Sequence, residues 1–263
     1  MIRISYSYII NFVTIVLISF CGFLFANPPN CVICLQKLED DFSVDVWGNT
    51  FHTEHENEGT FCHSCSRIIS QGVTQGGYVY HDGRQLCSLC IITAVNNDSS
   101  IQVSYESVLL QFEAVGIPNL ANNIPINLLN IHQLNQEGGS LSHAKMKGVT
   151  QVKSINTIDP YEKKFKISIL SGLPRIEFEA VLAHELLHIW IYQNKIKLPL
   201  EREEGFCNLG RYLIYKNDQT QFSTIHLQAM EEDIDPIYGI EYRKMKVHLT
   251  QKGWSNLISN LMN

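Results

Sequence analysis

Basic charge is scarce in this chain. Lys and Arg number 20 against 26 Asp and Glu, a net charge of −6 over 263 residues. No Lys/Arg cluster forms the basic stripe that a phosphate backbone attracts, so no nucleic-acid partner is expected, metal motifs notwithstanding. Internal repeats and low-complexity tracts are also missing, which excludes solenoid arrays and compositional disorder. What remains is a chain 45% apolar and 17% charged, enough for one small module and one globular domain.

The run His184-Glu185-Leu186-Leu187-His188 carries the most chemical information. It lies inside an apolar stretch, Glu179 to Ile191, that reads as a buried helix. At 3.6 residues per turn the two histidines share one face, a turn apart. Two imidazoles at that spacing can grip one Zn²⁺, and Glu185 beside them can take the proton of an attacking water. Two satisfied core histidines are the plain alternative. A catalytic zinc usually has three protein ligands and one open position. Glu201, Glu203 and Glu204 follow on a helix expected to start near Glu201, after a turn at Pro199. Glu204 is the expected third ligand. Glu203 is the alternative by one residue of register, and Glu201 reads as a solvated helix-start acid.

The first half holds three C-x-x-C knuckles, Cys31/Cys34, Cys62/Cys65 and Cys87/Cys90, with His52 and His55 between the first two. In chain order these make an N₂S₂ set (Cys31, Cys34, His52, His55) and an S₄ set (Cys62, Cys65, Cys87, Cys90). Both are closed structural zinc compositions. His63 could substitute in either. A disulfide framework is the competing reading of the six cysteines. Cys207 reads as a core thiol.

These motifs resemble known families. His-Glu-x-x-His followed by Glu-Gly-Phe is similar to the gluzincin metallopeptidases, whose third ligand is a Glu on the next helix. In the aminopeptidase branch that Glu directly precedes Gly-Phe, which points to Glu204. Ser171-Gly-Leu-Pro-Arg175, Ala183 to Trp190, Glu203-Glu-Gly-Phe-Cys207, Asp235-Pro-Ile-Tyr-Gly239 and the Val247-His248 pair resemble the DA-one family of LIM-containing peptidases, best known as plant growth regulators. The cysteine order resembles a LIM domain, with two departures: His55 stands where Cys is commoner, and the stretch from His55 to Cys62 is long. The resemblance implies an α+β chain. A LIM-like double zinc-finger module would precede a gluzincin-like peptidase domain, a small, mostly antiparallel sheet packed on zinc-bearing helices. It implies one catalytic and two structural Zn²⁺, a peptide or protein substrate, and a LIM-like module that binds a protein partner or supports the peptidase. It places Tyr238 and His248 where a zincin sets an oxyanion-stabilising group. Plant members carry ubiquitin-binding segments, but no ubiquitin-interaction helix is recognisable here. A non-catalytic zinc adaptor is the alternative function.

The expected division is 1–26 signal peptide or membrane anchor, 27–95 LIM-like module, 96–120 linker helix and 121–263 peptidase domain. Ile9 to Ala26 is almost wholly apolar before Asn27-Pro28-Pro29, as in a secretory signal. The chain is therefore expected to be exported, or membrane-anchored if the segment is retained. Strands are expected over Ile124–Ile131, Gly148–Ile155 and Phe165–Leu170, with Gly138-Gly139 in a loop and more helix after Pro236. Gluzincin resemblance makes the strand just before the active helix the edge strand that pairs with a peptide substrate. Asp233 and Asp235 are weaker candidates for orienting a zinc histidine.

Overall fold

Cysteine and histidine pairs, not a large core, organise the first of two units, Met1–Leu89 and Cys90–Asn263. The structure is a computed structural model that describes residues 30–39, 41–117, 120, 123–139, 146–154 and 163–262. The expected signal or anchor, 1–26, lies outside them. Among the described residues, no helix is long and apolar enough to cross a membrane.

In the first unit β1 (Phe42–Val44) pairs antiparallel with β2 (Thr50–His52), followed by the short helices α1 (His55–Glu58) and α2 (Gln71–Thr74). Next, β3 (Gly77–Val79) pairs antiparallel with β4 (Gln85–Cys87). The four-residue α3 (Ser88–Ile91) carries Cys90 and contains the division between the units. Cys31, Leu38, Phe51 and Ile68 form a small apolar cluster. So little apolar area stabilises weakly, and polar ties add to it. Asp45 is buried and accepts from the backbone N–H groups of Trp47, Asn49 and Ile68, each at 2.9 Å. The Trp47 indole donates to the Cys65 carbonyl at 2.7 Å, and the Arg67 guanidinium stacks 3.6 Å from the Trp47 ring centroid. The β1–β2 hairpin is thus fastened to the loop of the next knuckle.

The second unit opens with α4 (Asp98–Ala114), started by Asn97, whose side chain accepts from Ser100 N–H. Tyr105, Val108 and Phe112 carry it into the main core. Then come β5 (Ile126–Leu129), α5 (Ile131–Gly138), β6 (Gly148–Ser154), β7 (Lys163–Leu170), α6 (Arg175–Gln193), α7 (Leu200–Asp218) and α8 (Gln221–Glu232). A π turn over Pro236–Ile240 leads into α9 (Glu241–Met262), which is broken at Gly253. The expected first strand stops short because Asn130 caps α5, accepting from Gln133 N–H at 2.9 Å. Gly138, expected in a loop, ends that helix and Gly139 caps it. Ile155, the expected end of the second strand, lies outside the described residues.

One expectation about the sheet is corrected. Its order is β5-β7-β6, with β5–β7 parallel over four residue pairs and β6–β7 antiparallel over seven, so it is mixed and mostly antiparallel. The strand just before the active helix, β7, is central and bonded on both sides; β6 is the edge strand on the side of α6. The physical reason lies in the pairing phase. Leu170 N–H donates to the Lys147 carbonyl, while Ile167 and Ser171 donate to Pro125 and Leu129. The backbone of β7 therefore alternates between its two neighbours and has no free side. By the same alternation Gly148 and Thr150 direct their own N–H and C=O groups away from β7, toward the edge that is unpaired among the described residues.

The helix α6 is apolar nearly all round and buried from Glu177 to Ala183 and again at Glu185–Leu187 and Ile189–Ile191. Each fully buried Leu, Ile or Phe contributes about 1.5–3 kcal/mol. It crosses α7 closely: a Cβ on Gly210 would sit 2.8 Å from the Ala183 carbonyl oxygen. On another side of α7, a Cβ on Gly205 would sit 2.8 Å from the Glu241 backbone of α9. Glycine in a helix costs about 1 kcal/mol relative to Ala, and here it admits a neighbouring backbone on each side.

Candidate metal centres and catalytic cleft

The i, i+4 spacing on α6 places His184 and His188 on one face, with Nε2 atoms 3.2 Å apart. The contact of α7 brings Glu204 to the same point. Its carboxylate oxygens lie 3.2 Å from His184 Nε2 and 3.6 Å from His188 Nε2. Two ligands on one tetrahedral Zn²⁺ at about 2.0–2.1 Å should stand roughly 3.3 Å apart. The three separations fit a common ion.

Glu203, the alternative ligand, points elsewhere. It accepts from His188 Nδ1 at 2.8 Å. A carboxylate can only accept, so Nδ1 carries the proton and the Nε2 lone pair faces Glu204. His184 is set the same way, with Nδ1 3.1 Å from Asn208 Oδ1. The Asn208 amide is oriented because its Nδ2 donates to the Tyr238 carbonyl at 3.0 Å. Three acceptor atoms thus converge, and such a cluster calls for a cation. A proton is one: burial opposes charge on His188, yet contacts with the Cys207 thiol, Glu203 and Glu204 outweigh it and hold its protonation well above the usual imidazole range. The donor set of two imidazoles and a carboxylate equally suits Zn²⁺. Cys207 itself is fully buried, and burial pushes its thiol up to about 12. It is a neutral core residue, as its sequence context indicated.

Glu185 lies one position along from His184 and is 5% exposed. The Thr150 hydroxyl donates to its Oε2 at 2.7 Å. His184, Glu185, His188, Glu203, Glu204, Asn208 and Thr150 line one cavity of about 710 Å³, walled by β6, α6, α7 and residues between Asp233 and Tyr238. That volume is within the range of ligand-binding clefts. Tyr238 faces the cavity, and burial, then Glu204, raises its hydroxyl to about 12. His248, expected beside it, is on α9 and does not line the cavity. Asp233 and Asp235 do line it, but they receive backbone N–H groups: Asp235 accepts from Ile237 and Tyr238, and Asp233 from Asp235. Glu201 is exposed at the start of α7. Thr150, Gly148 and Asn208 were missed in the sequence. Asn208 had a signal, being four residues after Glu204 on the same helix face.

The other two clusters are those expected: Cys31, Cys34, His52 and His55, then Cys62, Cys65, Cys87 and Cys90, with ligand atoms in each within 4.8 Å of one another. His63 belongs to neither. None of the six knuckle cysteines is joined in a disulfide, and Cys65 and Cys87 sulfurs stand 3.7 Å apart. A disulfide needs about 2.05 Å, whereas two thiolates on one zinc at about 2.3 Å stand roughly 3.8 Å apart. Cys34 Sγ and His52 Nδ1 are 3.3 Å apart, against roughly 3.6 Å for a shared zinc. Burial would raise the Cys31 thiol, but backbone N–H groups of Cys34, His52 and Ile33 outweigh it and lower it to about 6. The thiolate is the form that binds metal.

The chain is similar to several plant proteins. Protein DA1-related 2 of Arabidopsis thaliana is 28% identical over 222 residues, 70% of this chain and 42% of that protein. LIM domain-containing protein HDR3 of Oryza sativa subsp. japonica is 27% identical over 227 residues, 71% and 44%. Protein DA1 of Arabidopsis thaliana is 26% identical over 219 residues, 69% and 40%. The chain thus spans about two fifths of the length of these relatives. No solved structure gives a significant match. Residues 140–216, which hold all of α6 and nearly all of α7, match the family model described as DA1-like: Protein DA1, and together these similarities support the DA1-like family for this chain.

Proposed function

We propose that this protein is a zinc-dependent peptidase of the gluzincin type acting on protein or peptide substrates. The observation that carries the reading is the convergence of His184, His188 and Glu204 within 4.8 Å, on the wall of the cleft that also presents Glu185. Those three residues would hold the catalytic ion, with Glu203 and Asn208 fixing the imidazoles from behind. Bound Zn²⁺ supplies Lewis acidity that polarises the scissile carbonyl and acidifies water. Glu185 takes the proton of the attacking water and returns it to the leaving amine. Tyr238, protonated at neutral pH, can donate to the developing oxyanion. The open edge of β6 suits an extended substrate strand. The two knuckle clusters would each hold a structural zinc, three ions in all. A LIM-like module built on them would bind a protein partner or support the peptidase, and export through residues 1–26 remains part of the proposal.

Glu185→Gln tests this reading. It changes little in size, so fold and metal content should survive, while peptidase activity falls by about 10²–10⁴-fold. His184→Ala should lose both the third zinc and activity. A wild type that cleaves nothing in a peptide library, with Glu185→Gln matching it in every assay including partner binding, would install the adaptor reading instead.

A further inference from the structure

The edge strand β6 grips the catalytic helix at successive points on one side. At its entry, Lys147 forms an ion pair with Glu177, whose side chain is 1% exposed. Gly148 comes next. A Cβ there would lie 2.6 Å from Glu185 Oε1 and 2.7 Å from Val181 Cγ1, so a side chain at this position would displace Glu185 or Val181. Two residues on, the Thr150 hydroxyl reaches Glu185 Oε2 at 2.7 Å, with the Glu185 carbonyl oxygen 3.2 Å away. Both carboxylate oxygens of Glu185 therefore abut this strand. One rests on Gly148 and the other receives a hydrogen bond from Thr150.

We propose that Thr150 is a positioning residue for Glu185, tying the orientation of the general base to the strand along which substrate lies. The inference rests on the peptidase reading above. A glutamate has three side-chain torsions, and its proton-accepting lone pair must aim at one point in the cleft. Threonine is suited to hold it. Its β-branched χ1 is stiff, and hydrogen bonds to an ionised carboxylate are stronger than neutral ones. The strand phase adds the second half of the argument. Thr150 turns its side chain to Glu185 and its own N–H and C=O to the open edge. A peptide paired there would hydrogen-bond the same residue that aims the base. Substrate and base would then share one rigid reference, separated only by the covalent frame of Thr150.

The test uses the full chain, zinc-loaded, with a cleaved peptide as probe. Thr150→Val is nearly isosteric and exchanges the hydroxyl for a methyl that cannot donate. It should keep zinc content and KM within about twofold while kcat falls about 10- to 100-fold. Thr150→Ser, which restores the hydroxyl, should recover kcat to within a few-fold. In a Glu185→Gln background, Thr150→Val should cost nothing further, because the partner it positions is gone. A kcat for Thr150→Val within twofold of wild type would overturn the proposal. So would an equal loss in both backgrounds, or a change in KM alone. If Thr150→Val loses zinc or fold, the Thr150→Ser and Thr150→Ala pair decides. Serine should exceed alanine in kcat by about tenfold, and equality would refute the role. Wild type without zinc-dependent cleavage would instead sink the peptidase reading, and this inference with it. Wild-type cleavage with an unaffected Thr150→Val sinks the inference alone.

Discussion

Neighbouring glutamates with different tasks make a sharp experiment. Glu204 lies 3.2 and 3.6 Å from the two Nε2 atoms, while Glu203 reaches only the far nitrogen of His188, at 2.8 Å. On the proposed reading, Glu204→Gln replaces a ligand carboxylate of the catalytic ion by a neutral amide. A four-ligand structural zinc site is worth roughly 10–16 kcal/mol, or about 2.5–4 kcal/mol per ligand. Its loss should weaken the catalytic ion by roughly 10²–10³-fold. Glu203→Gln removes charge behind a ligand, which typically costs about 10–100-fold. Its amide oxygen can still accept from Nδ1, so the lower end of that range is expected. The assay is equilibration of each variant in chelator-buffered zinc over a range of free concentrations, with bound zinc read by elemental analysis. Occupancy of the other two clusters serves as an internal standard. If Glu203→Gln empties the site at higher free zinc than Glu204→Gln does, the assignment of roles is wrong.

Three further outcomes follow from the packing and charges. Gly210→Val would drive a side chain into the Ala183 carbonyl, 2.8 Å from the Cβ position, and should cost about 1–3 kcal/mol in denaturant unfolding; wild-type stability would refute the close crossing of α6 and α7. Burial raises the Glu137 carboxyl, but hydrogen bonds from Lys166 and Ser168 prevail and hold it below the usual range. A depressed carboxyl stabilises the fold above its unfolded pKa of about 4.3 and loses that contribution as pH falls through the folded value. Lys166→Met should therefore cost about 1 kcal/mol or less at pH 7, the pair being partly exposed, and the gap in melting temperature should shrink by about pH 3; a gap that persists contradicts the pairing. Stripping metal should make Cys31, Cys34, Cys62, Cys65, Cys87 and Cys90 reactive to an alkylating reagent while buried Cys207 stays slow; six cysteines that need reduction first would restore the disulfide reading.

Local periodicity made the centre of this protein readable. His184, Glu185 and His188 are related by one helical turn, and a turn is fixed by backbone geometry alone. The Glu204 register depended on where α7 begins, which Pro199 marks to within a residue. Sheet order was not readable in this way. Alternation in Phe165, Ile167 and Ile169 shows a strand but not its partners, and pairing with β5 on one side and β6 on the other is a non-local outcome. Buried faces on both sides of a strand mark a central position only when both neighbours are known. Helix α8 escaped notice because it buries little, Ser223 and Met230. Thr150 and Gly148 carry no motif at all. Their meaning comes from a helix 35 residues away in sequence.

The fastening of the first hairpin to the second knuckle bears on how metal loading would proceed. Asp45 gathers N–H groups from its own turn and from Ile68, across 23 residues of chain. Trp47 does the same through the Cys65 carbonyl, a residue of the S₄ cluster. Neither cluster can then close its loop without preparing part of the other's. An ion captured by Cys31, Cys34, His52 and His55 would prepay some of the ordering entropy of the cysteine site, and reciprocity requires the converse. If each cluster holds an ion as proposed, the two would fill this module cooperatively, leaving half-metallated chains scarce when zinc is limiting.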